Sequence, residues 1–273
     1  MSVRLQFQNL RIEGSSRAGD ASWFRVHPPG LAFDVGRGAL ALAGAEQIFL
    51  THGHLDHALG LPFVLSLKAM QGAAPTRVFC PAGAADGLRQ LIEAAEAIEQ
   101  ASYSYELVAL EPGGEVKVGR DLHVEAFATD HSVPCLGYHL VRARRQLKDE
   151  YRGLPAPELA GLRTGGNEIE DETQELWVTY CGDTGVGVFD LEPRVFESTV
   201  LLLECTFFDE ASHDRGRKFK HLHLSDIAER VSRFQNRDLV LHHASWRYEK
   251  QEIRDLIERQ LAGLAPRVHL MME

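Results

Sequence analysis

The sequence predicts an α/β protein in which two β-sheets pack face to face with helices outside. Three observations carry this. Short strand-like segments bounded by turns fill the first half of the chain. Later, apolar segments alternate with helical stretches. Side chains able to do chemistry then recur just beyond the ends of those apolar segments. At 273 residues and 44% hydrophobic, the chain can bury a large core. No linker divides it, so one domain over 1–273 is expected.

Strands are expected at Val3–Phe7, 23–26, 31–35 and 47–50, where β-branched and aromatic residues gather between turn residues. Residues 84–100, rich in Ala, Glu, Leu and Gln, read as a helix. Strands return at Tyr105–Leu110, 115–118, 122–129 and 137–142. From 143 to 175 the chain turns polar, with Gly, Pro and charge throughout, and reads as an irregular arm or insertion. Residues 176–181 and Val200–Glu204 are apolar enough for buried strands. Helices at 225–234 and 249–262 bracket a strand at 239–242. No fixed-period repeat is present.

The charge balance is acidic, 29 Lys plus Arg against 39 Asp plus Glu, or −10. That argues against indiscriminate nucleic-acid binding, which needs a broad cationic surface, but leaves room for a local basic patch. Cys80, Cys135, Cys181 and Cys205 are far apart and form no Cys-x-x-Cys pair, so neither a zinc ribbon nor a disulfide framework is expected. They read as small buried apolar residues in a reducing compartment. Without a signal-like or membrane-length apolar run, a soluble cytoplasmic protein with no membrane partner is expected.

The stretch Thr51-His52-Gly53-His54-Leu55-Asp56-His57 puts three imidazoles and a carboxylate into six consecutive positions, 52–57. A lone histidine beside a strand is usually structural. This grouping, after apolar Ile48, Phe49 and Leu50, makes sense if the side chains surround cations. One tetrahedral ion rarely takes four ligands packed so tightly, so two neighbouring metals fit better. Four later places follow apolar segments and can complete the set: Asp130-His131, Gly182-Asp183-Thr184, Glu204 and His242-His243. Each is ordinary by itself; together, at strand ends, they converge on one edge.

Phe49-Leu50-Thr51-His52-Gly53-His54-Leu55-Asp56-His57 followed by Gly60-Leu61-Pro62 resembles the first motif of the metallo-β-lactamase superfamily, in the form found in tRNase Z. Further segments extend the likeness: Phe33-Asp34-Val35-Gly36-Arg37, Asp130-His131 with Gly137-Tyr138, and Cys181-Gly182-Asp183-Thr184. Leu203-Glu204-Cys205-Thr206-Phe207 and His243-Ala244-Ser245-Trp246-Arg247-Tyr248 resemble the family's more specific Glu-x-Thr-Phe and His-x-Ser-x-Arg-Tyr motifs. Lys148-Asp149-Glu150-Tyr151, Gly153-Leu154 and His221-Leu222-His223-Leu224-Ser225 resemble the short plant-type enzymes in particular.

The resemblance implies a metallo-β-lactamase fold, an αββα sandwich of two mixed sheets. It implies two Zn²⁺ per subunit, with Mn²⁺ or Fe²⁺ as alternatives. His52, His54 and His131 would hold one ion and Asp56, His57 and His243 the other, with Asp183 bridging. Glu204 and His221 would form the acid pair near the leaving group, with His223 as an alternative or a supporting residue. Asp34 would orient a ligand imidazole. His242 would be structural, because the terminal motif aligns on His243.

The implied activity is metal-assisted, in-line removal of the 3′ trailer of pre-tRNA, with Asp56 aiming the nucleophile. Arg142, Arg144, Arg145 and Lys148, then Arg215, Arg217, Lys218 and Lys220, with Arg247, are candidate phosphate contacts. Many family members carry a longer arm with a Gly-Pro-rich element that grips the tRNA elbow. Here Leu154-Pro155-Ala156-Pro157-Glu158-Leu159 stands in a shorter interval without one. A homodimer is implied. The competing readings are a hydrolase of the same fold acting on small phosphodiesters or another small ester, and a metal-binding partner without catalysis.

Overall fold

The computed structural model describes residues 2–272. Within them lie two seven-stranded sheets, each with its strands in chain order. The first comprises β1 (Val3–Phe7), β2 (Leu10–Arg17), β3 (Ala21–His27), β4 (Leu31–Phe33), β5 (Gln47–Phe49), β6 (Thr76–Pro81) and β7 (Tyr105–Leu110). The second comprises β8 (Glu115–Lys117), β9 (Leu122–Ala128), β10 (Leu136–Leu147), β11 (Glu170–Tyr180), β12 (Val200–Glu204), β13 (Asp238–His242) and β14 (Val268–Leu270). Each sheet starts antiparallel and turns parallel halfway, at β4–β5 and at β11–β12.

Alternation along the strands builds the layers. Val200 and Leu202 of β12 point into the space between the sheets, with Phe24, Phe33, Phe49, Tyr138 and Tyr180. Leu201 and Leu203 point the other way, against α7 (Leu224–Ala228) and α8 (Lys250–Gln260). Covered on both faces, β12 is buried throughout. On the outer face of the first sheet, Ile48, Leu50 and Val78 pack against α1 (Leu55–Ala58), α2 (Leu61–Met70) and α3 (Ala85–Glu99). The expected αββα sandwich follows.

Three expectations need correction. The interval 143–175 is not an irregular arm: β10 and β11 stay paired out to Leu147↔Glu170, with α4 (Ala156–Thr164) at the tip. This outer hairpin is held by cross-strand ion pairs, Arg142 and Arg144 to Glu175 and Arg145 to Glu172. Charged on both faces, it lacks the apolar alternation that marks a strand. The helix expected at 225–234 ends at Ala228 and gives way to a short 3₁₀ turn, Val231–Arg233. Arg230 donates to the Asp226 carbonyl (2.8 Å), and Phe234 turns inward onto Phe196 (centroids 4.8 Å apart). Finally, β2, β6, β14 and α2 were not anticipated. Gly14, Ser15 and Ser16 hide β2 from pattern reading, although Ser16 is fully buried.

All four cysteines are free. No helix among the described residues is long and apolar enough to cross a membrane.

Candidate metal centre

The centre is assembled where strands end. Asp34 follows β4, the 52–57 loop follows β5, and His131 follows β9. Asp183 follows β11, Glu204 closes β12, and His243 follows β13. Gly182 has a left-handed φ of +63°, and a Cβ there would come within 2.8 Å of Thr51. Only glycine lets the Asp183 loop approach the first motif so closely.

Three groups of ligand atoms result, each with its members within 4.8 Å of one another. One joins His52, His54, His131 and Asp183; a second joins Asp56, His57 and His243; a third joins Asp183, Glu204, His221 and His243. Asp183 stands between the first two sets. Its Oδ1 lies 3.3 Å from His57 Nε2, and its Oδ2 lies 3.7 Å from His52 Nε2 and 3.2 Å from His243 Nε2. Asp56 Oδ2 lies 3.4 Å from His243 Nε2 and accepts the Gly19 N–H at 2.9 Å.

The surrounding bonds fix which nitrogen of each imidazole carries its proton. Asp34 Oδ2 takes the His57 Nδ1 proton at 2.7 Å and the Tyr180 hydroxyl at 2.6 Å. The Thr51 hydroxyl donates to Asp34 (2.8 Å) and so accepts from His52 Nδ1 (2.9 Å). The Thr206 hydroxyl donates to Glu204 (2.8 Å) and accepts from His243 Nδ1 (3.0 Å). The Lys220 carbonyl accepts from His131 Nδ1 (3.3 Å). In each of these four histidines Nδ1 is turned to its support and Nε2 is left aimed at the centre.

Divalent cations fit this arrangement. His52 Nε2, His57 Nε2 and Asp183 Oδ1 are buried with no hydrogen-bond partner among protein atoms. Burial alone would depress His57, yet the Asp183 and Asp34 carboxylates hold it well above its ordinary value. Burial and the neighbouring His57 hold His52 well below its own, as suits a neutral ligand. Burial would raise Asp183, but His243 and His57 keep it ionised. The buried carboxylates therefore call for positive charge, and the imidazoles offer lone pairs to receive it.

Glu204, fully buried, accepts four bonds: from Thr184 N–H, Leu222 N–H, the Thr206 hydroxyl and His221 Nδ1, the last at 2.7 Å. Burial would lower His221, but the charge and hydrogen bond of Glu204 outweigh it and push the imidazole up to about 9. Glu204 thus favours the protonated form of His221, which faces the rings of His131 (5.3 Å) and His243 (5.2 Å).

His223, the other candidate, lies outside all three groups. Its Nδ1 accepts from Ser225 N–H (3.1 Å), capping α7 reciprocally with Asp226, and its Nε2 lies 3.0 Å from the Asp209 carbonyl. His221→Ala should therefore lower kcat by roughly 10²–10⁴-fold. His223→Ala should leave kcat near wild type and cost about 1 kcal/mol in thermal unfolding.

His242 is buried against Phe24 and Tyr180 and belongs to none of the three ligand groups. Arg247 sits on an exposed turn beyond His243. The structure adds partners that escaped the sequence reading: Thr51, Tyr180, Thr206, Ser16 and Gly19. Ser16 accepts the His243 N–H at 3.0 Å. Thr51 and Thr206 lie inside the motifs, a usable signal; nothing local marks Ser16 or Gly19.

The model for the Beta-lactamase superfamily domain matches residues 20–244. The tRNase Z TRZ1 of Arabidopsis thaliana is 29% identical over 272 residues, covering 98% of this chain and 97% of that protein. The nuclear ribonuclease Z of Triticum aestivum is 32% identical over 166 residues, covering 61% of this chain and 94% of the relative. The chain belongs to the tRNase Z family. The fold of this tRNase Z family member also matches the metallo-β-lactamase fold protein YhfI of Bacillus subtilis, at a TM-score of 0.65 and 14% identity over 96% of this chain and 95% of the other.

The histidines and aspartates singled out in the sequence converge in this structure. Of the two basic groups, the arginines at 142, 144 and 145 are engaged by Glu175 and Glu172. Arg215, Arg217 and Lys218 are exposed on α6 (His213–Phe219), immediately before His221.

Proposed function

We propose that this chain is a dinuclear zinc endoribonuclease that removes the 3′ trailer from pre-tRNA in the cytoplasm. The observation that carries the reading is the buried Asp183 carboxylate shared by two sets of ligand atoms, beside a His221 held by Glu204. His52, His54 and His131 would hold one cation, Asp56, His57 and His243 the other, and Asp183 both. When bound, the pair supplies an activated attacking water and neutralises charge gathering on the phosphate.

The protein's own groups do the rest. Asp56, fixed by the Gly19 N–H, accepts a hydrogen bond from the attacking water and aims it. His221 gives its proton to the departing ribose oxygen, and Glu204 stabilises the imidazolium before transfer and orients it throughout. The ribose 2′-hydroxyl is not needed as nucleophile, so the products are a tRNA 3′-hydroxyl and a trailer 5′-phosphate. Arg215, Arg217 and Lys218 meet the RNA backbone on the approach to His221.

The homodimer belongs to the same proposal. Leu55, Leu59 and Phe63 leave 43–63% of their surface exposed along α1, its C-terminal boundary and α2, an apolar face that a second subunit would cover. Light scattering should give twice the chain mass.

Incubation with a labelled pre-tRNA carrying a 3′ trailer tests the enzyme. One cut at the trailer junction is expected. Turnover of a small phosphodiester with the pre-tRNA left intact would favour the small-substrate reading.

A further inference from the structure

Beside the metal centre, a groove of about 780 Å³ runs between the β2–β3 turn, the segment after Val35 and the loop after His243. Its most prominent side chain is Trp246, 63% exposed although it lies three residues beyond a proposed metal ligand. The groove continues over Trp23 and the exposed Leu40.

The support of Trp246 is rigid. Ser245 N–H donates to the Thr206 carbonyl at 3.1 Å. Arg17 donates to the carbonyls on either side of the indole, Ser245 at 3.1 Å and Tyr248 at 3.3 Å, and its guanidinium lies 4.8 Å from the ring centroid. Arg17 therefore fastens the loop and backs the ring. The same turn reaches the centre through the bond from Gly19 N–H to Asp56. Asp20, the one carboxylate lining the groove among the described residues, is paired with Arg37 at 2.5 Å, so that lining keeps net positive charge.

An indole held flat by a cation, in an apolar-floored and weakly cationic groove, has the chemistry that takes up an unpaired nucleotide: stacking for the base, charge for the phosphate. We infer that Trp246, backed by Arg17, is the stacking platform for one unpaired base of the RNA strand next to the scissile phosphate. This rests on the pre-tRNA reading and adds to it a positioning residue that acts in binding rather than in proton transfer.

The test compares KM and kcat of wild type, Trp246→Ala and Trp246→Phe on trailer-bearing pre-tRNA. It uses the intact RNA and versions with a single abasic ribose at each nucleotide flanking the cut. On intact RNA, Trp246→Ala should raise KM roughly tenfold with kcat within about twofold, and Trp246→Phe should recover most of the loss. With the abasic ribose at the stacked position, wild type and Trp246→Ala should have equal KM. A defect of the same size on every abasic RNA, a loss confined to kcat, or no defect overturns the platform. Wild-type protein that leaves pre-tRNA uncut overturns the enzyme reading and this inference with it. Cutting by wild type with an indistinguishable variant overturns this inference alone.

Discussion

Asp183→Asn should lower kcat/KM on pre-tRNA by roughly 10³-fold or more while the far-ultraviolet circular dichroism stays unchanged. The substitution keeps shape and volume, so packing gives no reason for a loss. What disappears is the charge that His57, His52 and His243 face at 3.3, 3.7 and 3.2 Å. An amide cannot hold two cations together as a carboxylate can, and its NH₂ would confront at least one imidazole nitrogen already aimed inward. On the proposed two-ion centre, bound metal should fall towards one ion per chain or none. Metal analysis alongside the kinetics checks this, and full activity with one ion would refute the shared-ligand role.

Asp34→Asn should have the next largest effect, although Asp34 is not among the grouped ligand atoms. Its carboxylate is completely buried and accepts from Thr51 N–H (2.7 Å), the Thr51 hydroxyl, the Tyr180 hydroxyl and His57 Nδ1. An amide at this position sets its NH₂ against one of those donors. Turned towards His57, it reverses that ring's tautomer and puts a proton on Nε2. Turned away, it meets the Thr51 N–H, which then loses its acceptor. Metal affinity should fall about 10–100-fold. The metal-free protein should lose about 3–5 kcal/mol in denaturant unfolding, as when one partner of a buried, charged hydrogen-bond set is removed. Asn tolerates the left-handed φ of +52° at this position, so the loss would report on hydrogen bonding rather than backbone strain. An unchanged midpoint together with unchanged metal affinity would contradict this account.

Much of the centre was legible because the ligands sit in short motifs at the ends of apolar segments. The parallel strands bring those ends to one edge: Glu204 pairs in register with His242, and Asp34 N–H donates to the Phe49 carbonyl. The supports were harder to read. Ser16 and Gly19 belong to the first hairpins; closure of one sheet over the other brings Ser16 to His243, and Gly19 meets Asp56 across two loops of the first sheet. No local pattern could announce such contacts.

The choice between His221 and His223 was equally invisible, since the two alternate along one short segment. In the structure His221 meets Glu204 and His223 caps α7, which favours His221. The outer hairpin of β10 and β11 escaped because its stability comes from paired charges rather than buried alternation. The shortened α7 reflects Phe234 turning into the core, a tertiary pull that outweighs local propensity.

Anomalous X-ray scattering at the zinc edge, from crystals grown with zinc, is the most direct measurement. The account predicts two peaks in each chain, one among His52, His54 and His131 and one among Asp56, His57 and His243, with Asp183 between them. A single peak, or none, in an otherwise ordered centre would contradict it.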